Sequence, residues 1–150
     1  MRLRSSGVGP IAIALFVSVV AFSQQAKAPR HSWEILMNDP EAKAAAKKLL
    51  GHCGDAGTQD VMNACFALEY QNADAEMNKM YRKMLNKLDK DIQIKVRAAQ
   101  RAWLRYRDLH CDAVGSLYEG GSVQPTEVFS CRTGVTSART REIKEQYSTP

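Results

Sequence analysis

Ala99-Gln100-Arg101-Ala102-Trp103-Leu104-Arg105-Tyr106-Arg107-Asp108, followed three residues later by Cys111, decides how the chain reads. The stretch holds no Gly, Pro or β-branched residue, which predicts helix. On a helix of about 3.6 residues per turn, Gln100, Trp103, Arg107 and Cys111 share one stripe. An amide, a large ring, a guanidinium and a thiol then point the same way. A stripe facing water does not need a Trp, and a purely apolar core does not tolerate an Arg. The stripe therefore reads as a packed interface that encloses one polar network. The alternative is a ligand-binding face.

Working outward, the helix that carries this stretch is expected from about Asp91 to Tyr118. Upstream, Thr58 reads as the cap of an equally long helix. Its buried stripe is Val61, Cys65, Leu68, Met77, Tyr81, Met84 and Leu88. Lys87-Leu88-Asp89-Lys90 is the break between the two. Further upstream, Asp39-Pro40-Glu41 is a helix start, with Asp as N-cap and Pro at the first helical position. That short helix runs through Ala44, Ala45 and Ala46 to Leu50, and Gly51 ends it. Downstream, Glu119-Gly120-Gly121-Ser122-Val123-Gln124-Pro125 is a loop by composition. Thr126 is the expected cap of a last helix carrying Cys131, Val135 and Ile143. No strand pattern or internal repeat competes with this reading. The chain is expected to be all-α: a disulfide-linked bundle built on a long αα-hairpin, with a third packed helix and a short N-terminal helix.

Placing the hairpin midpoint between Asp89 and Lys90 sets residue 74 level with 105, 78 with 101 and 81 with 98. Asp74 then lies within one turn of Arg105 and Arg107. Only Arg107 is on the Trp103 stripe, so the expected pair is Asp74 with Arg107, and Arg105 is read as solvated. Asn78 falls near Gln100. Asp74, Asn78, Gln100, Trp103 and Arg107 are thus the expected structural network.

The first 23 residues have the layout of a secretory signal peptide: Arg2 and Arg4, an apolar run from Ile11 to Phe22, and small residues at Ala21 and Ser23. The run is short for a membrane span, so none is expected once the leader is removed. Residues 24–38 read as a loose arm holding the apolar cluster Trp33, Ile35, Leu36 and Met37. Residues 39–150 are expected to form one helical domain. Of 150 residues, 21 are Lys or Arg and 16 Asp or Glu. Without the leader the net charge falls from +5 to +3, too little and too dispersed for nucleic acid. The charge is sorted, however. Gly51 to Glu76 is free of Lys and Arg, whereas Lys79 to Arg107 holds ten basic residues.

All four cysteines, Cys53, Cys65, Cys111 and Cys131, follow the leader, and an even number in a small exported chain reads as two disulfides. Their spacing is unlike a zinc site, and no metal or cofactor is expected. On the hairpin level, Cys65 lies roughly 4–5 Å along the axis from Cys111. This favours Cys65–Cys111 with Cys53–Cys131. Cys53–Cys111 with Cys65–Cys131 is nearly as compatible.

With these residues in place, the chain resembles the LprI-type lysozyme inhibitor family. The matching pieces are Asn63-Ala64-Cys65, then Ala73-Asp74-x-x-Met77-Asn78-x-x-Tyr81, then Ala99 to Asp108 with Cys111. Gly120-Gly121-Ser122 and Cys131-x4-Thr136-x-x-Arg139 follow in order. The resemblance covers about residues 53–143. It implies an exported periplasmic or secreted domain, linked by disulfides, whose partner is a protein, with a lysozyme as the partner the family's name implies. No lipobox cysteine follows the leader, unlike a lipoprotein member of the family.

Catalytic patterns such as Gly-x-Ser-x-Gly, His-Glu-x-x-His or a phosphate loop are absent from the sequence, and His31, His52 and His110 are scattered. The chain is therefore read as a binder rather than an enzyme. One reading is a protein that blocks the two-carboxylate cleft of a lysozyme-type hydrolase. Its candidate contact loop is Tyr118, Glu119, Gly120, Gly121 and Ser122. The alternative is a periplasmic interaction or stress protein with a different protein partner.

Overall fold

The computed structural model describes residues 39–147. The leader (1–23) and the arm (24–38) lie outside these residues. The described chain is all-helical, with four α-helices: α1 (Pro40–Lys48), α2 (Gln59–Leu85), α3 (Lys90–Ser116) and α4 (Gln124–Gln146). A short 3-10 turn, Cys53–Asp55, precedes α2.

The helix starts follow from local chemistry. Asp39 Oδ1 accepts the Glu41 N–H at 2.9 Å, with Pro40 in the first turn. Thr58, in an extended backbone, caps α2 by accepting the Val61 N–H. Helix α1 ends at Lys48, three residues before Gly51, whose φ of +86° turns the chain toward α2. Helix α4 begins at Gln124, with Pro125 in its first turn. Thr126 is therefore inside the helix and not its cap. Its hydroxyl is engaged elsewhere, as described below.

The α2–α3 hairpin is present, but α4 is its keystone. Over most of their length, the α2 and α3 backbones stand further apart than either does from α4. Helix α1 packs on the first half of α2. This explains why the buried side of α2 is broader than one stripe. Cys65, Met77 and Met84 are buried as expected and Val61, Leu68, Tyr81 and Leu88 are half-buried. Asn63, Ala64, Ala67 and Leu85 are buried as well.

Two apolar clusters result. Ala42, Ala46, Cys53, Ala64 and Cys65 pack at the α1 end. Met77, Met84, Leu85, Val96 and Ile143 pack near the α2–α3 turn, flanked by Trp103 and Leu104. Burial of such side chains contributes about 1.5–3 kcal/mol each for the larger ones.

The cysteines pair differently from the expectation. Cys53 bonds Cys65, and Cys111 bonds Cys131, with Cα separations of 5.5 and 5.6 Å. Neither Cys65–Cys111 nor Cys53–Cys131 forms, and the swapped arrangement is absent too. The axial level was only half the requirement. A disulfide also needs close lateral approach of the backbones. Helices α2 and α3 are spread by the side chains between them, whereas α4 comes close to α3 and the 3-10 turn folds back on α2.

Candidate functional site

Two arrangements of polar side chains bear on function: a seam through the middle of the bundle and a connector at its open end.

The seam begins with α3. Its buried residues are Val96, Gln100, Arg107, Cys111 and Gly115, with Trp103 half-buried among them. Arg107 is the centre. Its Nη1 lies 3.0 Å from Asp74 Oδ1 on α2, and its Nε 2.9 Å from Asp108 Oδ1. Asn78 donates to the other Asp74 oxygen at 2.7 Å. Gln100 lies in a neighbouring group. Its amide donates to Met77 Sδ at 3.6 Å, and its carbonyl oxygen accepts from Arg139 Nε at 3.2 Å. The expected network is thus two hydrogen-bonded groups, one at Arg107 and one at Gln100, with Trp103 between them.

Rings join what hydrogen bonds do not. The Arg107 guanidinium lies 5.3 Å from the Tyr70 ring centre and 5.5 Å from that of Trp103. Arg132 lies on Tyr70 at 5.9 Å, and Arg139 on Trp103 at 5.8 Å. The order Arg132, Tyr70, Arg107, Trp103, Arg139 alternates cation and ring across α4, α2 and α3. Each cation has its own acid: Asp112 for Arg132 at 2.8 Å, Asp74 and Asp108 for Arg107, and Glu142 for Arg139 at 2.7 Å.

Burial disfavours the Arg107 charge, but the bonds to Asp108 and Asp74 and the nearby Tyr70 outweigh it and hold the guanidinium above its ordinary range. Burial likewise pushes the Tyr70 hydroxyl above its usual value, against the opposing pull of Arg107. Arg105 is exposed.

Tyr70, Arg132, Arg139 and Asp108 were not among the residues singled out from the sequence. Arg139 and Asp108 were visible only as motif positions. Asp108 was legible in principle, since a long Arg side chain can curl back to its chain neighbour.

The connector, 117–123, carries Tyr118, Glu119, Gly120, Gly121 and Ser122. It is exposed: Leu117 retains 80% of its surface. It is also fixed. Gly120 has φ +78°, the Gly121 N–H donates to the Tyr118 carbonyl at 3.0 Å, and Asn63 donates to the Ser122 carbonyl at 3.1 Å. Asn63 Oδ1 in turn accepts from the Thr126 hydroxyl at 2.7 Å and from Gln59 at 3.0 Å. This small cluster, with Asn63 and Thr126 buried and Gln59 half-buried, clamps the connector to the first turns of α2. Sequence reasoning passed over it because Thr126 reads as a helix cap, and Gln59 and Asn63 lie 67 and 63 residues away from it along the chain.

The connector is continuous with a second face of α3. Leu117, Ala113, Leu109, Tyr106, Ala102, Ala99 and Ile92 recur at helical spacing and are all exposed. His110 stacks on Tyr106 with ring centres 5.4 Å apart.

Cys53, Cys65 and Glu69 lie close enough together to suggest a metal site. Both sulfurs are in a disulfide, however, and Glu69 Oε1 accepts the Gly51 N–H at 2.9 Å. That set does not fit an ion. No helix among the described residues is long and apolar enough to cross a membrane.

The fold and its staples define a class: small, disulfide-stapled helical domains with an exposed, pre-shaped connector. Within it, the lysozyme inhibitor LprI family matches residues 51–143, and the chain belongs to that family. The chain is similar to an uncharacterized protein, R02472, of Rhizobium meliloti (strain 1021). They share 35% identity over 117 residues, covering 69% of this chain and 84% of the relative. It is also similar to the uncharacterized protein YecT of Escherichia coli (strain K12). There the identity is 26% over 125 residues, 73% of this chain and 77% of the relative. No solved structure matches. The family is one of inhibitors and not of enzymes, which suggests a protein partner.

Proposed function

We propose that the chain is exported to the periplasm or beyond and inhibits a lysozyme-type peptidoglycan hydrolase, with residues 117–122 as the part that enters the target. The observation that carries this is the union of exposure and fixation in the connector. Leu117 and Tyr118 stand in solvent with their N–H groups bonded back to the last turn of α3, and the far end of the connector is held where Asn63 donates to the Ser122 carbonyl. A loop ordered before binding loses little entropy on docking. Lysozyme-type enzymes work with two carboxylates in an open cleft, which such a protrusion suits. The two disulfides and the layout of residues 1–23 support an oxidising destination. The small net charge means that shape and apolar contact, more than long-range attraction, direct the encounter. The exposed stripe of α3 supports an alternative, an envelope protein with a different protein partner.

The test uses residues 24–150 against chicken-, goose- and invertebrate-type lysozymes in a peptidoglycan lysis assay. Leu117→Asp and Tyr118→Ala are expected to abolish inhibition with an unchanged melting temperature. No inhibition of any of the three enzymes at micromolar protein would favour the alternative partner.

A further inference from the structure

At the end of the bundle away from the connector, a cleft of about 350 Å³ opens between the last turns of α2 and α4. Its lining includes Met80 and Met84 from α2, Ile143 from α4 and Tyr147 just after that helix, together with the exposed Lys83 and Lys87. We infer that this cleft binds a single-chain anionic amphiphile, a monomeric long-chain carboxylate. The tail would lie along the methionine, isoleucine and tyrosine walls, and the carboxylate between Lys83 and Lys87.

Three features carry the assignment. The size falls in the lower range of small-ligand pockets, where one acyl chain fits. The thioethers of Met80 and Met84 are flexible and polarisable, so the walls adapt to a chain of no fixed shape. The mouth is positive. Lys83 is in the last turn of α2 and Lys87 in the turn that follows it, both are exposed, and among the described residues neither forms an ion pair. Lys144, on the opposite wall, is 3.7 Å from Glu76 and is already engaged. Lysines near a helix C-terminus also answer its dipole, but that role needs no apolar cleft beneath them.

A bilayer fits less well. Membrane contact uses protruding apolar side chains, and here the apolar atoms line the cleft while the cations ring it. The exposed Ile92 and Ile94 belong to α3 and not to these walls. The cleft is independent of the connector, so the inference stands or falls apart from the inhibitor reading.

The experiment titrates residues 24–150 with a dansyl-labelled undecanoate kept below its micellar range. A saturable, blue-shifted emission is expected, displaced by dodecanoate and about tenfold less well by dodecanol. The double variant Lys83→Glu/Lys87→Glu should bind about tenfold more weakly with an unchanged melting temperature. Met80→Asp, on a half-buried wall position, should abolish binding. No saturable signal up to about 100 μM probe, a weak site by any standard, would overturn the inference. So would a charge-reversed variant that binds like the wild type. Sedimentation with phosphatidylglycerol vesicles without uptake of the monomeric probe would also overturn it, in favour of a membrane contact.

Discussion

Arg107 shows how one side chain ties the bundle together. It is 8% exposed and touches two acids and two rings on two helices. Its partners are not equal in exposure, since Asp74 retains 33% of its side-chain surface and Asp108 48%. Arg107→Ala is therefore expected to cost about 3 kcal/mol, from lost packing as much as lost charge. Asp74→Ala should cost only about 1–2 kcal/mol, because Asp108 still neutralises the guanidinium. Urea unfolding of the two single variants and the double variant checks this, and the double should cost less than the sum. Equal losses for the two single variants would mean that Asp74 carries the charge alone. Counting residues from the turn placed Asp74 level with Arg105 and within one turn of Arg107, because axial rise is the same in every α-helix, and the Trp103 stripe then chose Arg107. Arg132 could not be placed that way, because its role depends on the lateral position of α4, for which the sequence holds no ruler.

Helix α4 is the least legible element. Among its seven buried residues, three are Thr126, Thr136 and Thr140 and one is Pro125, so no clean apolar stripe marks its inner side. The caps Asp39 and Thr58 were readable because each is a local hydrogen bond. The close approach of α4 to α3 rests on Gly115. A Cβ there would fall on Val128 Cγ2. Gly115→Ala is thus expected to destabilise by about 1–3 kcal/mol through overpacking, despite the better helix propensity of Ala. Adding Val128→Ala should recover part of the loss. Thermal melts of the two variants measure it, and a Gly115→Ala protein as stable as the wild type would show that the two helices can part without cost.

Across the whole molecule, the all-helical architecture was open to sequence reasoning, while the cysteine pairing was not. Two cysteines on facing helices look close when only height is counted. The pairing found keeps both bonds local, closing separations of 12 and 20 residues. Each is worth about 3 kcal/mol in the chain-entropy model. A covalent consequence follows from where these bonds sit. One lies wholly before the turn at Asn86–Asp89 and the other wholly after it. Tryptic cleavage after Lys87 would leave two polypeptides with no bond between them, each carrying its own intact cystine. On a non-reducing denaturing gel they should separate, whereas a Cys65–Cys111 bridge would hold them as one band. Under native conditions the alternating cations and rings should keep the pieces together. The fold is, in effect, a split protein waiting for its cut: two separately oxidised halves, produced as independent chains, should find each other and restore the whole.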